Sequence, residues 1–172
     1  AINNVVDVTN FVMVELGQPM HAYDYDEIAG KSLTARRAAA GEELHTLDDS
    51  TRKAKGDELV IADSEKAAGL AGVMGGLETE VTEKTTTVVL EAASFNGPSI
   101  RRTSRACGLH SEASGRFERG VDVTKTERAL ERAAQLWCGG ERFHRARRAG
   151  RFRGAAPRRG RGPHPLGPVG RA

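Results

Sequence analysis

The 172-residue chain contains little cysteine, few aromatic side chains and no long hydrophobic run. Its two cysteines, Cys107 and Cys138, are too few for a disulfide framework or a cysteine-based metal site, and they predict a reducing, cytoplasmic location. Aromatic residues make up 5% of the chain, too few for a surface on which successive nucleic-acid bases stack. The apolar stretches, such as residues 87–93, are too short to cross a bilayer, so no membrane partner is predicted.

Generic catalytic motifs are also missing from the sequence. The glycines between residues 69 and 76 do not have the spacing of a phosphate-binding loop, and no Gly-x-Ser-x-Gly occurs. None of the five histidines pairs with cysteine or an acidic residue at the spacing of metal ligands. The residues alone therefore predict no metal site and no nucleotide site.

Charge is distributed unevenly along the chain. The formal net charge is +3, which by itself suggests a nucleic-acid partner. Residues 141–172, the tail, contain ten arginines, no lysine and one acidic residue, whereas residues 1–140, the body, contain 16 basic and 22 acidic residues. The field of the acidic body repels RNA overall, so any RNA contact made by the body must be local.

The tail also differs from the body in composition. Arginine, glycine, proline and alanine supply 25 of its 32 residues. Such a segment cannot bury enough apolar surface to offset the entropy lost on ordering, so we expect it to be disordered. Two origins fit it: an arginine-rich RNA-binding arm, or an out-of-frame translation of GC-rich DNA. The absence of lysine and the abrupt change of composition favour the second origin.

The body predicts helix, then short strands, then helices again. Apolar residues recur at intervals of three and four over residues 4–16, and Gly17 with Pro19 ends that helix. Further helices are predicted at residues 98–107, at 111–119 with Ser111 as the cap, and at 124–138. Strands are predicted at residues 32–38, 43–46, 51–55, 58–62, 70–74 and 86–92. This order predicts an α+β fold in which a mixed or antiparallel sheet is flanked by helices from both ends of the body.

Four stretches, in this order and at this spacing, carry a specific resemblance. They are VVDVTNFVMVELGQPMHAYD (residues 5–24), LAGVMGG (70–76), VLEAASF (89–95) and RACGLHSEASGRFERGVD (105–122). Together they resemble the bacterial phenylalanyl-tRNA synthetase beta subunit family, and the likeness covers about residues 5–140. The resemblance identifies the chain as a fragment, the central tRNA-binding and editing module of that subunit.

The resemblance implies a function and a set of partners. In that family this α+β module hydrolyses tyrosine wrongly esterified to tRNA(Phe). The resemblance also implies two partners, tRNA(Phe) and the synthetase alpha subunit, the latter in a heterotetramer. ATP and magnesium are implied as cofactors of the complete synthetase only, with no cofactor in this module and no aminoacylation site in this chain.

An editing site answers a problem of selectivity. A pocket built for phenylalanine rejects a side chain that merely adds a hydroxyl only about a hundredfold. A second site can instead bind the tyrosine hydroxyl through a polar partner, which phenylalanine leaves unpaired at a cost of about 1–3 kcal/mol. No conventional nucleophile is evident, so the resemblance implies hydrolysis by a positioned water, helped by a hydroxyl of the terminal ribose.

The resemblance assigns roles to two titratable residues. Glu91 interrupts the apolar run at residues 88–93, where a buried charge needs a partner, and it matches the residue that reads the tyrosine hydroxyl. A strand residue facing solvent is its alternative. His21 is expected in a loop after the first helix, as a ligand of the terminal adenosine or of the attacking water. A purely structural histidine is the alternative there.

Four further residues are predicted at the same site. Asn10 is placed at its wall, with a satisfied core amide as the alternative, and Gly75 where backbone approaches a ligand closely, with an ordinary turn as the alternative. Ser111 and Ala113 lie at a helix start, whose N–H groups can hold an ester or a water. Family members usually have threonine at position 111 and histidine at 115, so Ser111 and Gly115 depart from the pattern. Two other functions stay open for the chain: a non-catalytic tRNA-binding scaffold and an inert gene fragment.

Overall fold

The computed structural model describes residues 3–138, which contain four α-helices and eight β-strands. The tail and its predicted disorder lie outside the described residues. The helices are α1 (Asn4–Leu16), α2 (Gly97–Cys107), α3 (Glu112–Arg119) and α4 (Lys125–Cys138). The strands are β1 (Met20–Asp24), β2 (Thr34–Arg37), β3 (Glu43–Thr46), β4 (Ser50–Lys53), β5 (Leu59–Ala62), β6 (Ala67–Leu70), β7 (Met74–Gly75) and β8 (Val88–Ala92).

The predicted α+β class is confirmed. All strand pairs within residues 3–138 are antiparallel, and they form three sheets. The largest has the order β2-β5-β6-β7, β3 and β4 form a hairpin, and β1 pairs with β8 from the far end of the strand region. The first helix precedes this strand region and the other three follow it, as the order of patterns predicts.

Local sequence signals fix the ends of the helices. The Asn3 side chain accepts a hydrogen bond of 2.8 Å from the Val6 amide at the start of α1, and Gly17 ends the helix with a φ of 71°. Ser111 caps α3, as predicted, by accepting a bond of 3.1 Å from the Ser114 amide. The predicted boundaries of α1 therefore agree with the structure at both ends.

The strand predicted at residues 70–74 is wrong. The structure instead has β6 and β7 joined by a tight turn at Ala71–Val73, in which Gly72 has a φ of 67°. A Cβ at Gly72 would lie 2.8 Å from the Phe117 ring and 2.9 Å from the Phe95 ring. The packing of two aromatic side chains against this turn therefore requires glycine, and it bends the chain where the local pattern predicts extension.

The β1–β8 ribbon has two different faces because successive side chains in a strand alternate. On one face Met20 and Leu90 pack against a core of α1 and α4 that contains Val12, Ala129 and Ala133. On the other face His21 lies directly opposite Glu91, with Tyr23 two residues further along β1. The helices thus cover the apolar face, and the polar face is left for a site.

A larger core lies under the four-stranded sheet. It joins residues of β5 and β6, such as Val60 and Leu70, to Ile100 of α2 and Phe117 of α3. Within residues 3–138 no helix is long and apolar enough to span a membrane. This core fixes α3 beside the turn between β6 and β7, next to the polar face of the ribbon.

Candidate functional site

A pocket opens between the β1–β8 ribbon, the turn from β6 to β7, and α3. Its volume is about 80 Å³. Its polar side chains are those of His21, Tyr23 and Glu91, and all three come from the ribbon. The remaining lining residues are Pro19, Met20, Ile61, the run from Gly69 to Gly75, Ala113 and Phe117.

Glu91 is the acidic residue of the pocket. Its Oε2 accepts a hydrogen bond of 2.5 Å from the Tyr23 hydroxyl, whereas its Oε1 has no hydrogen-bond partner among residues 3–138. Burial raises the pKa of Glu91, and the bond from Tyr23 opposes part of that rise. Glu91 therefore does not face bulk solvent as an ordinary strand residue, and one of its carboxyl oxygens is open to a donor that enters the pocket.

His21 lies beside this pair. Its ring contacts the Tyr23 ring edge-on, with 4.5 Å between centroids and 83° between planes. Burial lowers the pKa of His21 to about 4, so the imidazole is neutral at pH 7 and retains one donor and one acceptor nitrogen. The predicted loop position of His21 is wrong because the residue belongs to β1, whose partner β8 is more than sixty residues away along the chain.

Gly75 allows the wall of the pocket to come close to His21. A Cβ at this position would lie 2.6 Å from Cε1 and 2.7 Å from Nε2 of the imidazole ring. The sequence predicts a close approach of backbone to a ligand here. The group that the structure places against this backbone is the His21 ring, which is thereby held between β7 and Tyr23.

The start of α3 supplies the remaining predicted residues. Ala113 lines the pocket, while Ser111 stands next to it as the helix cap. The Ser111 hydroxyl also donates to the Val73 carbonyl at 3.4 Å, which ties α3 to the turn between β6 and β7. Ser111 thus ties α3 to the pocket wall, and Ala113 forms part of that wall.

Asn10 is not brought to this site. It lies on the exposed side of α1 and does not line the pocket, so it is not a core amide either. Its role in binding stays a prediction. Conversely, the sequence pattern does not single out Tyr23, although its position two residues after His21 in a strand places it on the same face.

The burial of His21 predicts a dependence of stability on pH. The unfolded state binds a proton at an ordinary pKa of about 6.5, and the folded state does so only near 4, so the free energy of unfolding should fall as the pH is lowered between these values. The full effect is at most about 3 kcal/mol. Chemical denaturation at pH 7, 5.5 and 4.5 should show a smaller loss for His21→Gln than for the unchanged chain.

The matched control for this measurement is His110→Gln, at an exposed histidine whose ring lies 3.4 Å from Ser104 Oγ. This variant removes the same side chain without changing the pocket. Glu91 acts in the opposite direction, because its raised pKa favours the folded state in acid. The comparison is therefore between variants, and equal slopes for His21→Gln and His110→Gln would contradict the assignment.

No group of three or more histidine, cysteine or acidic side chains within residues 3–138 could hold a metal ion. The polar side-chain groups that line the pocket are the open Oε1 of Glu91, the Tyr23 hydroxyl and the neutral His21 imidazole.

The fold and the pocket together define the class of this domain. It is an α+β module with a small, largely apolar pocket that contains an acidic side chain and an imidazole. A family model for the B3/4 domain matches residues 1–138, and the chain belongs to that family. It is similar to phenylalanine–tRNA ligase beta subunits: it is 54% identical over 142 residues to that of Bacillus subtilis, covering 81% of this chain and 18% of the relative. The subunit of Moorella thermoacetica is 56% identical over 135 residues, covering 78% of this chain and 17% of the relative.

A third relative shows a similar identity and a similarly small covered share of its length. The beta subunit of Nitratidesulfovibrio vulgaris is 54% identical over 138 residues, which are 80% of this chain and 17% of that subunit. The chain thus spans less than a fifth of the length of the curated relatives it matches. The similarity concerns one domain of a much longer protein.

Proposed function

We propose that the chain is the B3/4 segment of a phenylalanine–tRNA ligase beta subunit and that its pocket hydrolyses Tyr-tRNA(Phe). The observation that carries the proposal is the state of Glu91. One carboxyl oxygen is held by Tyr23, the other is open, and the surrounding wall is largely apolar. Such a site accepts an aromatic ring that carries a hydroxyl donor.

Selectivity follows from the cost of an unpaired group. A tyrosyl hydroxyl can donate to Glu91 Oε1, whereas a phenylalanyl ring would cover that oxygen and leave it without a donor. Leaving a buried polar group unsatisfied costs about 1–3 kcal/mol, and more for a charged one. The pocket therefore prefers tyrosine, the amino acid that an aminoacylation site for phenylalanine accepts by mistake.

Hydrolysis itself requires little from the protein because an aminoacyl ester is already activated. The neutral His21 imidazole can orient a water, and amides near Ala113 can stabilise the charge that develops on the ester oxygen. A hydroxyl of the terminal ribose can assist as a further proton carrier. Glu91 binds the far end of the substrate and takes no part in bond breaking.

The pocket must widen to take its substrate. A cavity of about 150 Å³ accommodates a benzene ring, and the pocket measures about 80 Å³. The adjoining turn contains Gly72 with a positive φ and is held to α3 through the bond from Ser111 to Val73. We expect displacement of this turn to admit the tyrosyl ring.

The complete enzyme supplies what this segment lacks. We propose tRNA(Phe) as the substrate carrier and the ligase alpha subunit as the partner, in a heterotetramer located in the cytoplasm. ATP and magnesium serve the aminoacylation reaction of that assembly and have no role in the pocket described here.

The proposal is tested by transplantation. Residues 1–138 replace the matching segment of the Bacillus subtilis beta subunit, which is coproduced with its alpha subunit, and release of tyrosine from Tyr-tRNA(Phe) is followed. We expect hydrolysis of Tyr-tRNA(Phe) and persistence of Phe-tRNA(Phe). Binding of tRNA without hydrolysis of either ester would instead identify a scaffold module, and an assembly that neither binds nor hydrolyses would identify an inert segment.

A further inference from the structure

Helix α2 presents three arginines on one exposed face. Arg101, Arg102 and Arg105 are exposed, at the spacing that places side chains on the same side of a helix. The opposite side of the helix is buried through Ile100 and Thr103, among others. We call Arg101, Arg102 and Arg105 the arginine face.

These arginines are unpaired. Within residues 3–138 none of their side chains makes a hydrogen bond or an ion pair, and α2 itself contains no acidic residue. Four other arginines of residues 3–138 do bind carboxylates at close range, among them Arg36 with Glu42 and Arg132 with Glu15. Arg101 and Arg105 are like charges four residues apart, which disfavours the helix, and only Arg105, in the last turn, is placed to interact favourably with the helix dipole.

The arginine face lies near the pocket. Helix α2 begins at Gly97, six residues after Glu91 in the chain. Its buried residue Ile100 shares a core cluster with Phe117, and Phe117 lines the pocket. The first residue of α2 also lies against Phe117 itself, because a Cβ at Gly97 would be 3.0 Å from the Phe117 carbonyl oxygen. The helix that carries the arginine face therefore adjoins the pocket wall.

We propose that the arginine face binds the phosphate backbone of the RNA whose esterified end enters the pocket. The inference rests on the proposed function. Guanidinium groups bind phosphates through paired hydrogen bonds. The body as a whole carries an excess of acidic residues and repels RNA, so a concentrated group of unpaired cations is required wherever the two make contact. Proximity to a pocket for an RNA-linked ester favours RNA over an acidic protein segment.

The first test locates the contact by chemical protection. The full 172-residue chain is treated with the arginine reagent phenylglyoxal, with and without saturating uncharged tRNA(Phe), and modification is read by mass spectrometry at each arginine. We expect tRNA to slow modification of the three arginines of the face several-fold and to leave Arg128, an exposed arginine of α4, unchanged. Equal rates at the arginine face with and without tRNA overturn the proposal, as does equal protection by polyglutamate.

The second test removes the charges. Arg101, Arg102 and Arg105 are replaced together by glutamine, and the control replaces three exposed cations from other elements, Lys55, Lys84 and Arg128. Both variants lose the same charge and keep the tail. Each lost phosphate contact should reduce the slope of log K against log salt by about 0.7–0.9, so we expect a reduction of about two to three for the first variant and little change for the control. Equal effects of the two variants overturn a local site.

These tests do not depend on hydrolysis because uncharged tRNA is the ligand. Release of adenosine from its tyrosyl ester, which has no phosphate backbone, reports on the pocket alone. Loss of tRNA binding in the arginine variant with no ester hydrolysis by any form of the chain would refute the proposed function and support the arginine face. Ester hydrolysis together with tRNA binding that the substitutions do not change would support the proposed function and refute the arginine face as the RNA contact.

Discussion

Replacement of Glu91 by alanine is expected to reduce hydrolysis of Tyr-tRNA(Phe) in the transplanted enzyme by roughly a hundredfold, and replacement by glutamine by roughly tenfold. The difference follows from the chemistry of the acceptor. A hydrogen bond to a charged group contributes about 1.5–3 kcal/mol and one between neutral groups about 0.5–1.5 kcal/mol, with each 1.4 kcal/mol corresponding to a factor of ten. The measurement is the rate of tyrosine release at subsaturating Tyr-tRNA(Phe).

The same glutamine should stabilise the fold while it impairs the reaction. Burial raises the pKa of Glu91 in the folded state, so the carboxylate costs stability as the pH rises above its ordinary value near 4.5. Glutamine still accepts from the Tyr23 hydroxyl and carries no charge. The Tm of Glu91→Gln should therefore exceed that of the unchanged chain at pH 7, and the gap should close toward pH 4.

Two further variants complete this experiment. Tyr23→Phe removes the hydroxyl that holds Glu91 Oε2, which should raise the pKa of Glu91 further and weaken discrimination against Phe-tRNA(Phe). Glu80→Gln, at an exposed glutamate outside the pocket, should change neither the rate nor the Tm. A fall in both rate and Tm for Glu91→Gln would make Glu91 a structural residue and remove the basis for its role as hydroxyl reader.

The sequence predicts those structural features that depend on residues close together in the chain. The bounds of α1 follow from its apolar spacing and from Gly17, and the cap of α3 follows from Ser111, because each depends on contacts within a few residues. The position of Glu91 within an apolar run is unusual, but its predicted role as hydroxyl reader comes from the family resemblance, because a strand residue that faces solvent also fits the pattern. Its environment could not be predicted, since the ribbon that creates it joins β8 to a strand near the start of the chain.

Other features depend on tertiary packing in the same way. The turn at Gly72 is dictated by two phenylalanine rings from distant segments, one of them on α3. Asn10 is exposed because a different side of α1 packs against α4. The apolar pattern of a single helix does not predict whether a residue near the edge of the apolar side will be buried or exposed. Sequence patterns therefore predict the elements, and the resemblance supplies candidate site residues, but neither predicts which of those residues meet.

The largest expected loss of stability comes from adding one methyl group at Gly76. A Cβ there would lie 2.5 Å from the carbonyl oxygen and 2.9 Å from the carbonyl carbon of Ala68, and both atoms belong to the backbone. The same carbonyl accepts the Gly76 amide at 2.9 Å, so relief of the clash also breaks this bond. Gly76→Ala should lower the free energy of unfolding by about 3 kcal/mol, a large part of the roughly 5–15 kcal/mol typical of a domain.

The matched control is Gly115→Ala, the same substitution where there is room for it. A Cβ at Gly115 would meet only the Arg119 guanidinium, at 3.8 Å, and glycine inside a helix costs about 0.5–1 kcal/mol relative to alanine. This variant should therefore be more stable than the unchanged chain in urea. If Gly76→Ala proved equally stable, β7 would have moved away from β6. The strand that carries Gly75 against His21 would then be adjustable, and pocket opening would have to be assigned to that strand instead of the turn at Gly72.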